Sequence, residues 1–272
     1  MVTEIEYIKI PKIRDVVFIQ GIAPGVGFVG RNVAGYLVYI LKAKKFAEVY
    51  SDSLPPVVSV DHEGEGLIIP IRYELYYIKG DKKKKQPNIV IMIGDAQPVT
   101  TEGYYDISFN VLDFLIDTFG IKEVISIGGF GTGELIEGRK PKVFGATNDK
   151  EKIKEFERYN VIFKNSKVNQ IVGAAGVILS EATRLGIPAT CLMGETSGLL
   201  MSDPIAAEAV LEVLKEYLNL KELDLSKIHE HVKEVEKILK KIEEMEKVAL
   251  QQLKATIKKK SEKGEGPPGY IG

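Results

Sequence analysis

The sequence predicts an α/β layered body over residues 1–220, then a long helix over 221–263 and a flexible tail over 264–272. Three observations carry this. Strand-like apolar runs alternate with runs at helical spacing through the first part, the pattern of layered α/β folds. Two of the strand-like runs, NIVIMIG (88–94) and IPATCLMGE (187–195), are almost continuously apolar and read as strands buried in the body. From Leu223 charged residues dominate, and Gly and Pro vanish until Gly264.

DVVFIQ (15–20) is the opening strand, and RNVAGYLVYILK (31–42) is the helix that follows it. Between them Gly25, Gly27 and Gly30 have the spacing G-x-G-x-x-G, and Asp52 follows a second strand, KFAEVYS. This is the layout of a dinucleotide-binding turn, where glycines let a pyrophosphate approach a helix N-terminus. That fold requires another crossover helix and a third parallel strand. Instead PPVVSV and GLIIPIRYELYYIKG follow with no helix between them, which suggests an antiparallel excursion. The three glycines are therefore read as permitting a tight strand-to-helix turn and close packing of its helix, with no cofactor. Lys82 to Lys85 read as a solvated hairpin tip before NIVIMIG.

YYDISFNVLDFLIDTF (104–119) has helical spacing with Gly120 as its stop, and EVISIGG (123–129) is the next strand. VFGATND (143–149) and NVIFK (160–164) form a strand pair around a charged segment. NQIVGAAGVILSEATRLG (169–186) is a helix rich in small residues. Asp203 and Pro204 make an N-cap and first-turn pair for a helix over 204–218.

In the charged segment Ile228, Val232, Val235, Leu239 and Ile242 keep heptad steps. Met245, Ala249 and Leu253 continue the seam with an eleven-residue period, which relaxes the left-handed supercoil. Such a helix would be roughly 60 Å long at 1.5 Å per residue. Two arrangements would cover its stripe: self-association into a coiled-coil bundle, the one favoured here, or packing back over the α/β body. In the tail, KGEGPPGYIG, prolines and glycines stop the helix. Tyr270 and Ile271 at its end suit a docking peptide whose carboxylate a partner captures, and a frayed end fits the composition as well.

A formal net charge of -1 argues against a strongly basic nucleic-acid binder. With 44% hydrophobic and 28% charged residues the composition is that of a soluble globular protein. MVTEIEYIKIPK does not read as a signal peptide, and no apolar run is long enough for a membrane span, so a cytoplasmic location is expected. Cys191 is the only cysteine, which excludes an intrachain disulfide and a Cys-based zinc site, and it reads as a buried core thiol. His62 lies in a turn-like stretch. His229 and His231 point to different faces of their helix, and Lys233 stands where an H-E-x-x-H site would need histidine. No nucleophile elbow or phosphate loop occurs, so no cofactor or metal is expected.

Carboxylates at strand ends, Asp95 and Glu195, remain as chemical candidates, because open α/β sheets bind ligands there. Asp95 with Gln97 and Glu102, beside GGFGTG (128–133), carries an alternative reading. In it the chain is a nucleoside- or nucleotide-binding enzyme using the crevice near Gly25–Gly30 and Asp95. The favoured reading is structural, with Asp95 capping a turn or helix.

Several stretches together resemble one family, the archaeal homologues of the proteasome assembly chaperones. They are GIAPGVGFVGRNVAGYL (21–37), IGDAQP (93–98), ISIGGFGTGEL (125–135), VFGATND (143–149), GAAGVILSEATRLGIPATCLMGETSG (173–198) and DPIAAEAVLEVL (203–214). The resemblance covers nearly all of residues 15–218. It implies a three-layer α/β/α body resembling the nucleoside phosphorylase fold without that enzyme's catalytic apparatus. It also implies self-assembly, no enzymatic activity and the α-subunits of a proteasome core particle as partner. Tails in such systems end in a hydrophobic residue, tyrosine and any final residue. Here the order is Tyr270, Ile271, Gly272, so the tyrosine is displaced by one position from that motif.

Overall fold

The computed structural model describes residues 2–60, 66–134, 136, 138–164, 167–199 and 201–232. Their central feature is a sheet of nine strands: β1 (Thr3–Tyr7), β2 (Val16–Ile22), β3 (Lys44–Ser51), β6 (Tyr73–Ile78), β7 (Asn88–Gly94), β8 (Ile121–Gly131), β9 (Val143–Thr147), β10 (Val161–Ile162) and β11 (Ala189–Thr196). The spatial order is β1-β3-β6-β7-β2-β8-β11-β9-β10. The central four, β7, β2, β8 and β11, are mutually parallel. The antiparallel excursion is present: β4 (Val58–Val60) pairs with β5 (Ile68–Pro70), and β6 is antiparallel to both β3 and β7. Lys82–Lys85 are exposed at the tip between β6 and β7, as expected.

Helices cover both faces, because the central strands alternate between two cores. Val17, Ile19, Ile89, Ile91, Ile125 and Leu192 point to one side, where α1 (Val29–Ile40) and α5 (Pro204–Tyr217) supply Val33, Leu37, Val210 and Leu214. Phe18, Val90, Met92, Val124 and Ala189 point to the other, against Val111 and Leu115 of α2 (Thr101–Phe119) and Ile178 of α4 (Gly173–Arg184). The charged segment between β9 and β10 forms α3 (Lys150–Glu157). The result is a helix–sheet–helix sandwich with near-continuous apolar central strands, as double-sided burial requires.

Local signals set the helix starts. Asp203 accepts a hydrogen bond from Ala206 N–H at 2.9 Å with Pro204 in the first turn, as the sequence predicts. Asp149 and Thr100 cap α3 and α2 in the same way.

The body does not end at residue 220. Leu220, Leu223, Ile228 and Val232 are buried in the core beside α1 and α5, and the compact unit runs from residue 1 to 233. Residues 228–232 are helical, His231 stacks on Tyr39 at 5.0 Å, and Tyr36 Oη donates to the Asp224 carbonyl. The expected seam is therefore corrected at its start: Ile228 and Val232 are 0% and 1% exposed and face their own body. Over these residues the chain packs back, the second of the two arrangements. Val235, Leu239, Ile242, Met245, Ala249 and Leu253, with the tail residues Tyr270, Ile271 and Gly272, lie outside the described residues.

Candidate functional site

The parallel strands β2, β8 and β11 run in one direction, and the turn leaving β2 shapes the space beyond their ends. A cis Ala23–Pro24 peptide leads to Gly25, extended at φ −147°, and then to one 3-10 turn over Val26–Phe28. Gly27 sits at φ 61°, a left-handed conformation that glycine adopts without steric cost. Its carbonyl accepts the Asp203 N–H at 2.9 Å, which ties the turn to the start of α5. A Cβ on Gly30 would lie 2.4 Å from the Ile127 carbonyl oxygen, so α1 rests directly on β8. Gly27 and Gly30 thus serve the turn and the helix packing. Gly25 is in open, extended backbone and makes no comparable demand. Asp52 accepts from Val2 N–H at 3.2 Å and so tethers the start of β1.

A crevice of about 570 Å³ opens at these strand ends. Gln20, Ser126 and Cys191 lie along its floor, the Pro24–Val26 turn and Gly128–Gly131 form walls, and the first turn of α4 closes one side. Gln97 braces the opening: its Oε1 accepts the Ala174 N–H at 3.1 Å, and its Nε2 donates to the Pro24 carbonyl. Burial pushes the Cys191 thiol up to about 12, which leaves it a neutral thiol rather than a nucleophile.

The strand-end carboxylates are placed differently from the sequence-based alternative. Asp95 does not line the crevice, and its carboxylate meets Arg31 of α1 at 2.5 Å. Glu195 is buried and held by Arg139 at 2.6 and 2.8 Å and by the Lys142 N–H at 2.9 Å. The Arg139 hydrogen bonds, helped by the Lys142 N–H, hold its carboxyl below the usual range. A buried carboxylate needs such partners, so this arrangement explains Glu195 without chemistry. Glu102 lies in a separate open depression with Tyr105, Phe109 and Arg184. Of the residues in that alternative, Gln97, Gly25, Gly30 and the stretch Gly128–Gly131 line the crevice. The residues missed from sequence are Gln20 and Ser126, whose signal is a polar side chain inside the apolar runs DVVFIQ and EVISIGG.

Among the described residues no group of three or more His, Cys, Asp or Glu could hold a metal ion. No helix of the described residues is long and apolar enough to cross a membrane.

Residues 18–243 match a family model described as the PAC2 family. The chain belongs to the PAC2 family. An uncharacterized protein of Methanocaldococcus jannaschii is 35% identical over 90% of both chains. Among solved structures, Pyrococcus furiosus PbaB, an archaeal proteasome activator, is 32% identical with a TM-score of 0.76, covering 89% of this chain and 98% of its own. Pyrococcus furiosus PbaA, an archaeal homolog of proteasome-assembly chaperone, is 28% identical with a TM-score of 0.68, covering 90% and 100%. The resemblance read from the sequence motifs agrees with these matches, and the family match extends beyond residue 218 into the charged segment.

Proposed function

We propose that this PAC2-family chain is a non-enzymatic, homo-oligomeric proteasome-assembly-chaperone-like protein that binds the α-ring of an archaeal proteasome core particle. The observation that carries this is the likeness to PbaB, at 32% identity and a TM-score of 0.76 over 98% of that chain. In this reading the α/β body is the head, and residues beyond Val232 assemble the oligomer through Val235, Leu239, Ile242, Met245, Ala249 and Leu253. The tails ending in Tyr270, Ile271 and Gly272 reach pockets between α-subunits. Several weak tails on one oligomer act together through effective concentration, so each needs only modest affinity. Binding that spreads the ring entrance admits peptides without ATP.

Deletion of residues 270–272 tests the mechanism. The expected result is loss of core-particle binding and of peptidase stimulation, with the oligomer intact by light scattering. Unchanged binding of the deleted protein would sink the tail mechanism.

A further inference from the structure

A parallel sheet covered on both faces carries apolar side chains on both, and on the face under α2 and α4 the central strands keep to that rule from the Phe18 rung up to the next one. On the face under α2 and α4, register pairs Val90 with Phe18, Phe18 with Val124, and Val124 with Ala189, all in one apolar core. Two residues further along each strand the rung reads Met92, Gln20, Ser126, Cys191. Gln20 and Ser126 are direct neighbours there, 3% and 0% exposed, and both line the crevice. Among the described residues Gln20 Oε1 and Ser126 Oγ have no hydrogen-bond partner. Buried polar side-chain atoms are as a rule hydrogen-bonded, so two adjacent orphans on a crevice floor point to a partner from outside the chain.

The rest of the crevice narrows its chemistry. No charged residue lines it among the described residues, and Phe130, Ile127 and Ile171 supply apolar walls. The opposite side is the first turn of α4, whose N-cap, Val172, gives no side-chain cap. Backbone N–H groups of a helix's first turn donate to oxygen acceptors; Ala174 N–H already donates to Gln97 Oε1, and a carbonyl oxygen of a ligand suits the rest of that turn. A glutamine beside a hydroxyl matches a ligand edge with adjacent donor and acceptor, since an amide carries both functions. The volume is in the range of small-ligand pockets.

We propose that this crevice binds a small uncharged molecule carrying a carboxamide or lactam edge, read by Gln20 and Ser126. The site is separate from the tail mechanism and does not depend on it.

Nicotinamide and uracil are suitable probes, with nicotinate as the charged counterpart of nicotinamide. Calorimetric titration of the full-length protein is expected to show saturable binding of nicotinamide or uracil, with nicotinate at least tenfold weaker than nicotinamide. Ser126→Ala should weaken binding of the positive probe tenfold or more. Gly128→Leu provides a second variant: among the described residues a Cβ at Gly128 would meet Met193 Cγ alone, at an ordinary 3.7 Å, so a Cβ is accommodated, and a longer side chain on this crevice-lining residue is expected to occupy the crevice. It should abolish binding with an unchanged melting temperature. The proposal is overturned by absence of saturable binding for both neutral probes, by nicotinate binding as tightly as nicotinamide, or by wild-type affinity in Gly128→Leu.

Discussion

Gly30 and Gln20 show how differently single residues announce their roles. Gly30 belongs to a spacing that the sequence displays openly, but a missing Cβ serves a pyrophosphate and a backbone carbonyl equally well. The atom that decides, the Ile127 carbonyl oxygen, comes from β8, far along the chain. Gly30→Ala places a methyl where 2.4 Å separates it from that oxygen, so α1 or β8 must shift. The expected cost is about 1–3 kcal/mol, as for other overpacked sites. It would be read as a lower urea midpoint with an unchanged slope. Gln20 and Ser126 were legible only as polar letters inside apolar runs. That they are neighbours on one rung is a property of strand register, which no local pattern encodes.

At the level of elements, the cap of α5 was the most legible feature, because an N-cap acts within three residues of itself. Asp203 with Pro204 could be placed from sequence for that reason. The excursion through β4, β5 and β6 was visible as strands without an intervening helix, but not where those strands would pair. One charged cluster joins β3 to β6: Glu48 contacts Lys45 at 2.6 Å and Arg72 at 2.9 Å and accepts from Tyr50 Oη at 2.7 Å. Burial opposes ionisation of Glu48, but the hydrogen bonds from Lys45 and Tyr50 and the Arg72 charge prevail and bring its pKa down to about 2. A lowered folded-state pKa stabilises the fold above the ordinary value of 4.5, and that contribution fades as pH falls from 4.5 toward 2. Melting temperatures measured across this window should fall less steeply in Glu48→Gln than in the wild type. Parallel curves for the two proteins would show that the cluster contributes nothing to acid sensitivity.

For the whole molecule the boundary of the body matters most. Leu223, Ile228 and Val232 are fully buried although they lie in the segment that composition sets apart. A chain ending at residue 220 loses all three, at about 1.5–3 kcal/mol each, which is on the order of 5 kcal/mol or more. That is comparable to the whole stability of many domains. By circular dichroism, a chain ending at residue 233 should melt cooperatively near the wild-type temperature, whereas one ending at 220 should be largely unfolded. Equal melting of the two would show that Leu223–Val232 add little to the body. The sequence alone determined the layered α/β class, the buried central strands, the start of α5 and the family resemblance. All of these rest on periodicity, local capping or motif order along the chain. Tertiary structure decided the sheet order, the atom that Gly30 must clear, the rung that pairs Gln20 with Ser126, and the docking of Ile228 and Val232 onto their own body. Each depends on contacts between residues distant in sequence, and an apolar stripe specifies that it will be covered without specifying by what.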